Sequence, residues 1–93
     1  MYCVYILWSE HLQKTYVGYT AKLHQRLLAH NQLGSKGWTL KGRPWVLLHT
    51  INYATKKEAM YQEAWLKTGV GRTWIYSHIN NWLQAAAYPP RRT

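Results

Sequence analysis

The amino-terminal stretch MYCVYILWSEHLQKTYVGYT restricts the fold more than any other part of the chain. Residues 2–8 and 14–19 are rich in β-branched and aromatic side chains, and only SEHLQ lies between them, a pattern that predicts an antiparallel hairpin with a short turn. If the turn closes with Trp8 opposite Thr15, the pairing rule for antiparallel strands sets Tyr5 opposite Gly18 and Leu7 opposite Tyr16. Tyr5 and Tyr16 then share one face, and Tyr19 falls on the other as packing. Gly18 is expected to leave a gap through which a ligand could reach the backbone and both phenols.

Beyond the hairpin, Thr20 can cap a first helix running to about residue 30, with Leu23, Leu27 and Leu28 as its apolar stripe and Asn31 near its end. QLGSKGWTLKGR, with three glycines and three cations, suits an exposed loop touching substrate. PWVLLHTINY reads as a buried third strand opened by Pro44. Thr55 caps a second helix to about residue 67, with Gly69 and Gly71 placed to end it. A third helix is expected from Thr73, with Ile75, His78, Ile79 and Trp82 at helical spacing. A chain of 93 residues, 47% hydrophobic, accommodates one compact domain, assigned to residues 1–88, with residues 89–93 as a flexible tail. The expected fold is α/β (α+β): a small three-stranded sheet with an antiparallel hairpin, flanked by about three helices.

Charge narrows the partners. Twelve Lys and Arg stand against three acids, Glu10, Glu58 and Glu63, for a formal net charge of +9. With six Trp and eight Tyr interleaved among the cations, this balance points to nucleic acid, because rings stack on bases while cations meet phosphates. No apolar run approaches the roughly twenty residues of a membrane span, and the reading is a cytoplasmic protein. Cys3, the single cysteine, sits in an apolar run and reads as core. The absence of aspartate and of any zinc-like ligand spacing disfavours a zinc site, and no phosphate-binding glycine loop of the nucleotide type is present.

Three further positions carry chemistry. Lys22, Arg26 and His30 are spaced four apart, giving one cationic helix edge on which a guanidinium and an imidazole could clamp a phosphate. The same spacing also fits an ordinary solvated helix face. Glu63, mid-helix, could supply the carboxylate that a hard cation needs, since Mg²⁺ commonly takes one or two carboxylates together with waters and substrate phosphates. A surface pair with Lys67 one turn on is the competing explanation.

The order of these features resembles the GIY-YIG nuclease family, and within it the small single-domain bacterial subgroup. Cys3-Val4-Tyr5 stands for the first motif and Tyr16-Val17-Gly18 for the second; RLLAHN carries Arg26 and His30, and EAMYQEAWLK carries Glu63. The chain departs from the pattern at Cys3, where the family has glycine, and in its late asparagine, for which Asn80 and Asn81 are the candidates. The resemblance implies metal-dependent hydrolysis of phosphodiester bonds by an endonuclease acting on DNA. Glu63 would hold one Mg²⁺ or Mn²⁺ ion, Arg26 would neutralise phosphoryl charge and Tyr5 would activate water, with Tyr16 or His30 helping the proton leave. Lys22, Lys36, Lys41 and Arg43 are the expected nucleic-acid contacts.

The resemblance leaves single-stranded, duplex and branched DNA equally open, with RNA as a further substrate class. A monomer is expected, with room for a targeting partner. Two alternatives stand beside the nuclease: a non-catalytic basic module that binds nucleic acid, and a nuclease subunit that needs such a partner.

Overall fold

The computed structural model describes residues 1–31 and 41–92 of the chain. Within them, β1 (Tyr2–Ser9), β2 (Lys14–Thr20) and β3 (Trp45–Tyr53) form one sheet in the order β2-β1-β3. Both pairings are antiparallel, so the fold is α+β as expected. The hairpin closes in the expected register, with Trp8 opposite Thr15, Leu7 opposite Tyr16 and Tyr5 opposite Gly18.

Three helices complete the described part: α1 (Leu23–Asn31), α2 (Lys56–Leu66) and α3 (Gly69–Ala85). Because side chains alternate along a strand, central β1 serves two layers at once. Its odd positions Cys3, Tyr5 and Leu7 pack with Trp45, Tyr16 and the α1 residues Leu23 and Leu27. Its even positions Val4 and Ile6 meet Ala59 and Leu66 of α2 and Ile75 of α3, while Trp8 meets Ile79 and Leu83. Every residue of β1 from Cys3 to Ser9 is buried, the outcome of a strand with partners on both edges and helices on both faces.

The third apolar run differs from its expectation. β3 is an edge strand in which only Trp45 is fully buried, since a strand with one open edge buries less than its hydrophobicity suggests. Its pairing with β1 also slips between Ile6 and Leu7, so that His49 faces Ile6 while Leu47 faces Leu7.

Thr55 caps α2 as expected, in a reciprocal box: Thr55 Oγ1 accepts from the Glu58 N–H at 3.2 Å, and Glu58 Oε1 accepts from the Thr55 N–H at 3.2 Å. The glycines after it play a different part from the one read in the sequence. Thr68 caps α3 by accepting from the Gly71 N–H at 3.1 Å, so Gly69 and Gly71 lie inside the first turn of α3, which starts before Thr73. A Cβ on Gly71 would stand 2.5 Å from Leu66 Cα and collide with the Trp65 carbonyl, so the lack of a side chain there permits the tight corner between α2 and α3. The buried stripe of α3 is Ile75, Ile79 and Leu83, with His78 and Trp82 half-buried beside it.

At the carboxy terminus, the Arg91 N–H donates to Asn80 Oδ1 and the Arg92 N–H to Gln13 Oε1, each at 2.8 Å. No helix among the described residues is long and apolar enough to cross a membrane.

Candidate active site

The hairpin places two phenols side by side: the Tyr5 and Tyr16 rings stack with centroids 6.3 Å apart and planes 18° from parallel. Trp45 meets Tyr16 edge-on at 6.1 Å. Gly18 acts differently from its expected role. A Cβ there would stand 2.5 Å from the Tyr5 hydroxyl oxygen, so the room made by the glycine is taken by the phenol of Tyr5 itself. The missing side chain therefore sets where the Tyr5 hydroxyl lies, and Tyr5 is only 2% exposed.

Burial pushes the Tyr5 phenol well above its ordinary value, and neighbouring Tyr16 and Glu63 add to the rise while Arg26 opposes it. Two consequences follow. Tyr5, Tyr16, Arg26 and Glu63, drawn from β1, β2, α1 and α2, lie within one electrostatic neighbourhood. In the protein alone, desolvation outweighs the pull of the Arg26 guanidinium, so the Tyr5 phenol stays protonated beyond the ordinary tyrosine range.

Arg26 is exposed on α1 and shares a cavity of about 370 Å³ with Lys22, Gln25 and Thr20. Lys22 donates its backbone N–H to Thr20 Oγ1 at 3.0 Å, which fixes the entry to α1. His30 belongs to α1 by its backbone, but its side chain and all of Lys36 lie outside the described residues. Lys41 is exposed. Arg43 donates to the Ala29 carbonyl at 3.4 Å, near the carboxy-terminal end of α1.

Glu63 is partly buried, and its carboxylate lies 3.4 Å from the Lys67 ammonium, so the i,i+4 pair foreseen as the competing explanation is present. Among the described residues, no group of three or more His, Cys, Asp and Glu could hold a metal ion. The donor chemistry still suits a hard divalent ion of the Mg²⁺ kind, which commonly takes one or two carboxylates and fills its remaining positions with water and phosphate oxygens. Asn80 and Asn81 are exposed on α3, and Asn80 is engaged with the tail.

One positioning residue escaped the sequence reading. Asn31, at the end of α1, donates from Nδ2 to the Trp45 carbonyl at 3.0 Å and accepts the Trp45 N–H on Oδ1 at 2.6 Å. This two-bond bracket fixes the helix that carries Arg26 to the first residue of β3. RLLAHN followed by a buried aromatic fourteen positions on was the only trace of it in the sequence.

The family profile described as the GIY-YIG catalytic domain matches residues 1–81. A UPF0213 protein of Bacillus pumilus (strain SAFR-032) is 43% identical over 53 residues, covering 57% of this chain and 54% of that protein. The UPF0213 protein YazA of Bacillus subtilis (strain 168) is 38% identical over 52 residues, 56% of this chain and 52% of its own length. A UPF0213 protein of Lactococcus lactis subsp. cremoris (strain SK11) is 38% identical over 55 residues, 59% of this chain and 56% of its own. The chain thus spans about half the length of the curated relatives it matches. Since the profile match runs unbroken from the hairpin of stacked phenols through α1 and Glu63 into α3, the chain belongs to the GIY-YIG family.

Proposed function

We propose that the protein is a metal-dependent endonuclease that hydrolyses phosphodiester bonds in DNA. The observation that carries this reading is the stacked pair of phenols Tyr5 and Tyr16, with Arg26 and Glu63 acting electrostatically on Tyr5, within the stretch that matches the family's catalytic domain. Arg26, exposed at the edge of its cavity, contacts the phosphate and neutralises the charge that grows on its oxygens during displacement. Tyr5 takes the proton of the attacking water, and Tyr16 or His30 helps it leave. Glu63 holds the divalent cation, Mg²⁺ or Mn²⁺. When bound, that ion supplies Lewis acidity to the phosphate and offsets the Glu63 charge that helps keep Tyr5 protonated.

The protein would work as a cytoplasmic monomer on single-stranded, duplex or branched DNA, with RNA and a targeting partner as the extensions to test. A second reading rests on the Glu63–Lys67 pair: a carboxylate already satisfied by an ammonium fits a basic module that binds nucleic acid without cutting it. Incubating the purified protein with labelled single-stranded, duplex and branched DNA and with RNA, in EDTA or in Mg²⁺ or Mn²⁺, separates the two. Cleavage that needs the metal and disappears in Glu63→Gln is the expected result. Binding without cleavage under every condition would leave the module, and cleavage by Glu63→Gln at the normal rate would overturn the metal assignment.

A further inference from the structure

Lys67, the ion-pair partner of Glu63, borders a cavity whose cations the catalytic reading leaves unused. It has a volume of about 320 Å³, and its walls include Tyr16 with Thr15 and Val17 of β2, and Lys67 and Arg72 at the corner between α2 and α3. β2 is an edge strand, and neighbouring residues of a strand point to opposite faces, so a cavity lined by Thr15, Tyr16 and Val17 together wraps its free edge. Both cations are exposed, and the Lys67 side chain remains 53% accessible while paired with Glu63, so each can reach a ligand without repacking.

The cavity of Lys22 and Arg26 lies toward the other end of the same strand, at Thr20. Between the two, Gly18 with the Tyr5 hydroxyl against it occupies the middle of β2. Tyr16 and Thr20 are four residues apart, about 13 Å along an extended strand. Two cation-lined hollows therefore meet the same edge strand on either side of Gly18 and the Tyr5 hydroxyl, one from the α1 layer and one from the α2–α3 layer, an arrangement that suits a polyanion crossing the edge of the sheet.

We propose that Lys67 and Arg72 hold a backbone phosphate of the nucleic-acid strand beyond the scissile bond, on the side away from Lys22 and Arg26. This rests on the nuclease reading of the same site and adds to it a second phosphate contact, made by named residues on the far side of Gly18 from Arg26. Arg72 is the better of the two cations for this contact, since its planar fork can meet two phosphate oxygens at once, while Lys67 contributes a point charge.

The test measures binding, with the 93-residue chain carrying Glu63→Gln so that turnover does not intrude. The probe is a short fluorescent single-stranded oligothymidylate, titrated at several salt concentrations. Adding Arg72→Gln is expected to weaken binding about fivefold at low salt and to flatten the slope of log K against log salt by about 0.7, the share of one phosphate contact on a single strand. Lys67→Gln should do the same to a smaller extent, and Lys57→Gln, an equal charge removed at the other end of α2, should leave the slope unchanged. Slopes unaffected by both Arg72→Gln and Lys67→Gln, with the oligonucleotide still bound, would overturn this inference and leave the nuclease reading standing. An equal effect of Lys57→Gln would also overturn it, since the contact would then be general charge. Inorganic phosphate should shift the Arg72 side-chain NMR signals only far above the oligonucleotide concentrations that do so; comparable affinity for the free ion would reassign the cavity to small phosphates. Failure of the Glu63→Gln chain to bind any oligonucleotide would overturn the nucleic-acid reading itself.

Discussion

The two faces of the sheet are built from alternate residues of one strand and do opposite work. Toward α2 and α3, Val4, Ile6 and Trp8 meet aliphatic side chains in a buried apolar core, with half-buried Trp65, Trp74 and Trp82 around it. Toward α1, Tyr5 and Tyr16 bring hydroxyl groups into the layer, Gly18 gives up its own side chain to seat one of them, and Arg26 stands exposed at the border. The difference is one of packing chemistry: one face is closed by apolar side chains, while the other seats a phenol hydroxyl on which Glu63 of α2 acts electrostatically from the opposite layer. Both sets of positions are buried, but the odd ones include the Tyr5 hydroxyl, a polar group held in a fixed place.

If that division is real, substitutions on the two faces should fail in different ways. The largest expected effect is on the α1 face. Tyr5→Phe keeps the ring and loses the hydroxyl, so turnover should fall about 10²–10⁴-fold with the melting temperature nearly unchanged. A loss below tenfold would move the base to Tyr16 or His30. In metal-free protein the Tyr5 phenol should also ionise after ordinary tyrosines in an alkaline absorbance titration, because its value is raised by burial; an ordinary midpoint would remove that burial argument.

The opposite face should show the converse. Ile6→Ala, at a position 1% exposed, is expected to cost about 2–5 kcal/mol in chemical denaturation, while the rate per folded molecule stays close to normal. A rate lost in proportion to stability would show that the faces are not separable. Asn31→Ala lies between these cases. It leaves the Trp45 N–H and carbonyl without their side-chain partner, which should lower stability by about 1–3 kcal/mol and also slow turnover, since the helix bearing Arg26 loses its tether. Normal turnover in the folded variant would sink the positioning role.

The smallest expected effect belongs to His49 of β3, whose imidazole stacks on Trp82 with centroids 4.7 Å apart. Burial, with His78 nearby, lowers its pKa below the ordinary 6.5, so the unfolded chain binds the proton more readily. Stability should therefore decline slightly as the pH falls from about 6.5 through the lowered folded-state value, and His49→Phe should remove that slope. A profile unchanged by the substitution would assign the slope elsewhere.

What could be read in the sequence was local or periodic. SEHLQ is short enough to tie Trp8 to Thr15, and every later pair in the hairpin then follows by counting. Thr55 and Glu58 announce their capping box by spacing alone. Glu63 and Lys67 were legible as an i,i+4 pair for the same reason. The misreadings arose where tertiary packing decides. Gly18 could be read as a missing side chain, but not as one replaced by the ring across the strand. The hydrophobicity of β3 did not tell which strand would be central, because both apolar runs are compatible with either place. Gly69 and Gly71 carry the marks of a helix end, and the competing Thr68 cap turned them into a helix beginning. The Asn31 bracket joins residues fourteen apart across two elements, beyond any local rule.

That bracket also gives α1 the mechanics of a lever. Its fixed end is at Asn31, where two hydrogen bonds to one residue of β3 resist both sliding and rotation. Toward the other end, Leu23 and Leu27 make apolar contacts, which tolerate small displacements better than hydrogen bonds do. Arg26 sits five residues from the fulcrum, about 7.5 Å along the axis, so a tilt of about 10° moves its backbone by about 1.3 Å. For the proposed contact of Arg26 with a phosphate, an error of that size would cost about a hundredfold in rate, so the accuracy of the guanidinium would depend on a pair of amide hydrogen bonds that lie outside the proposed contact.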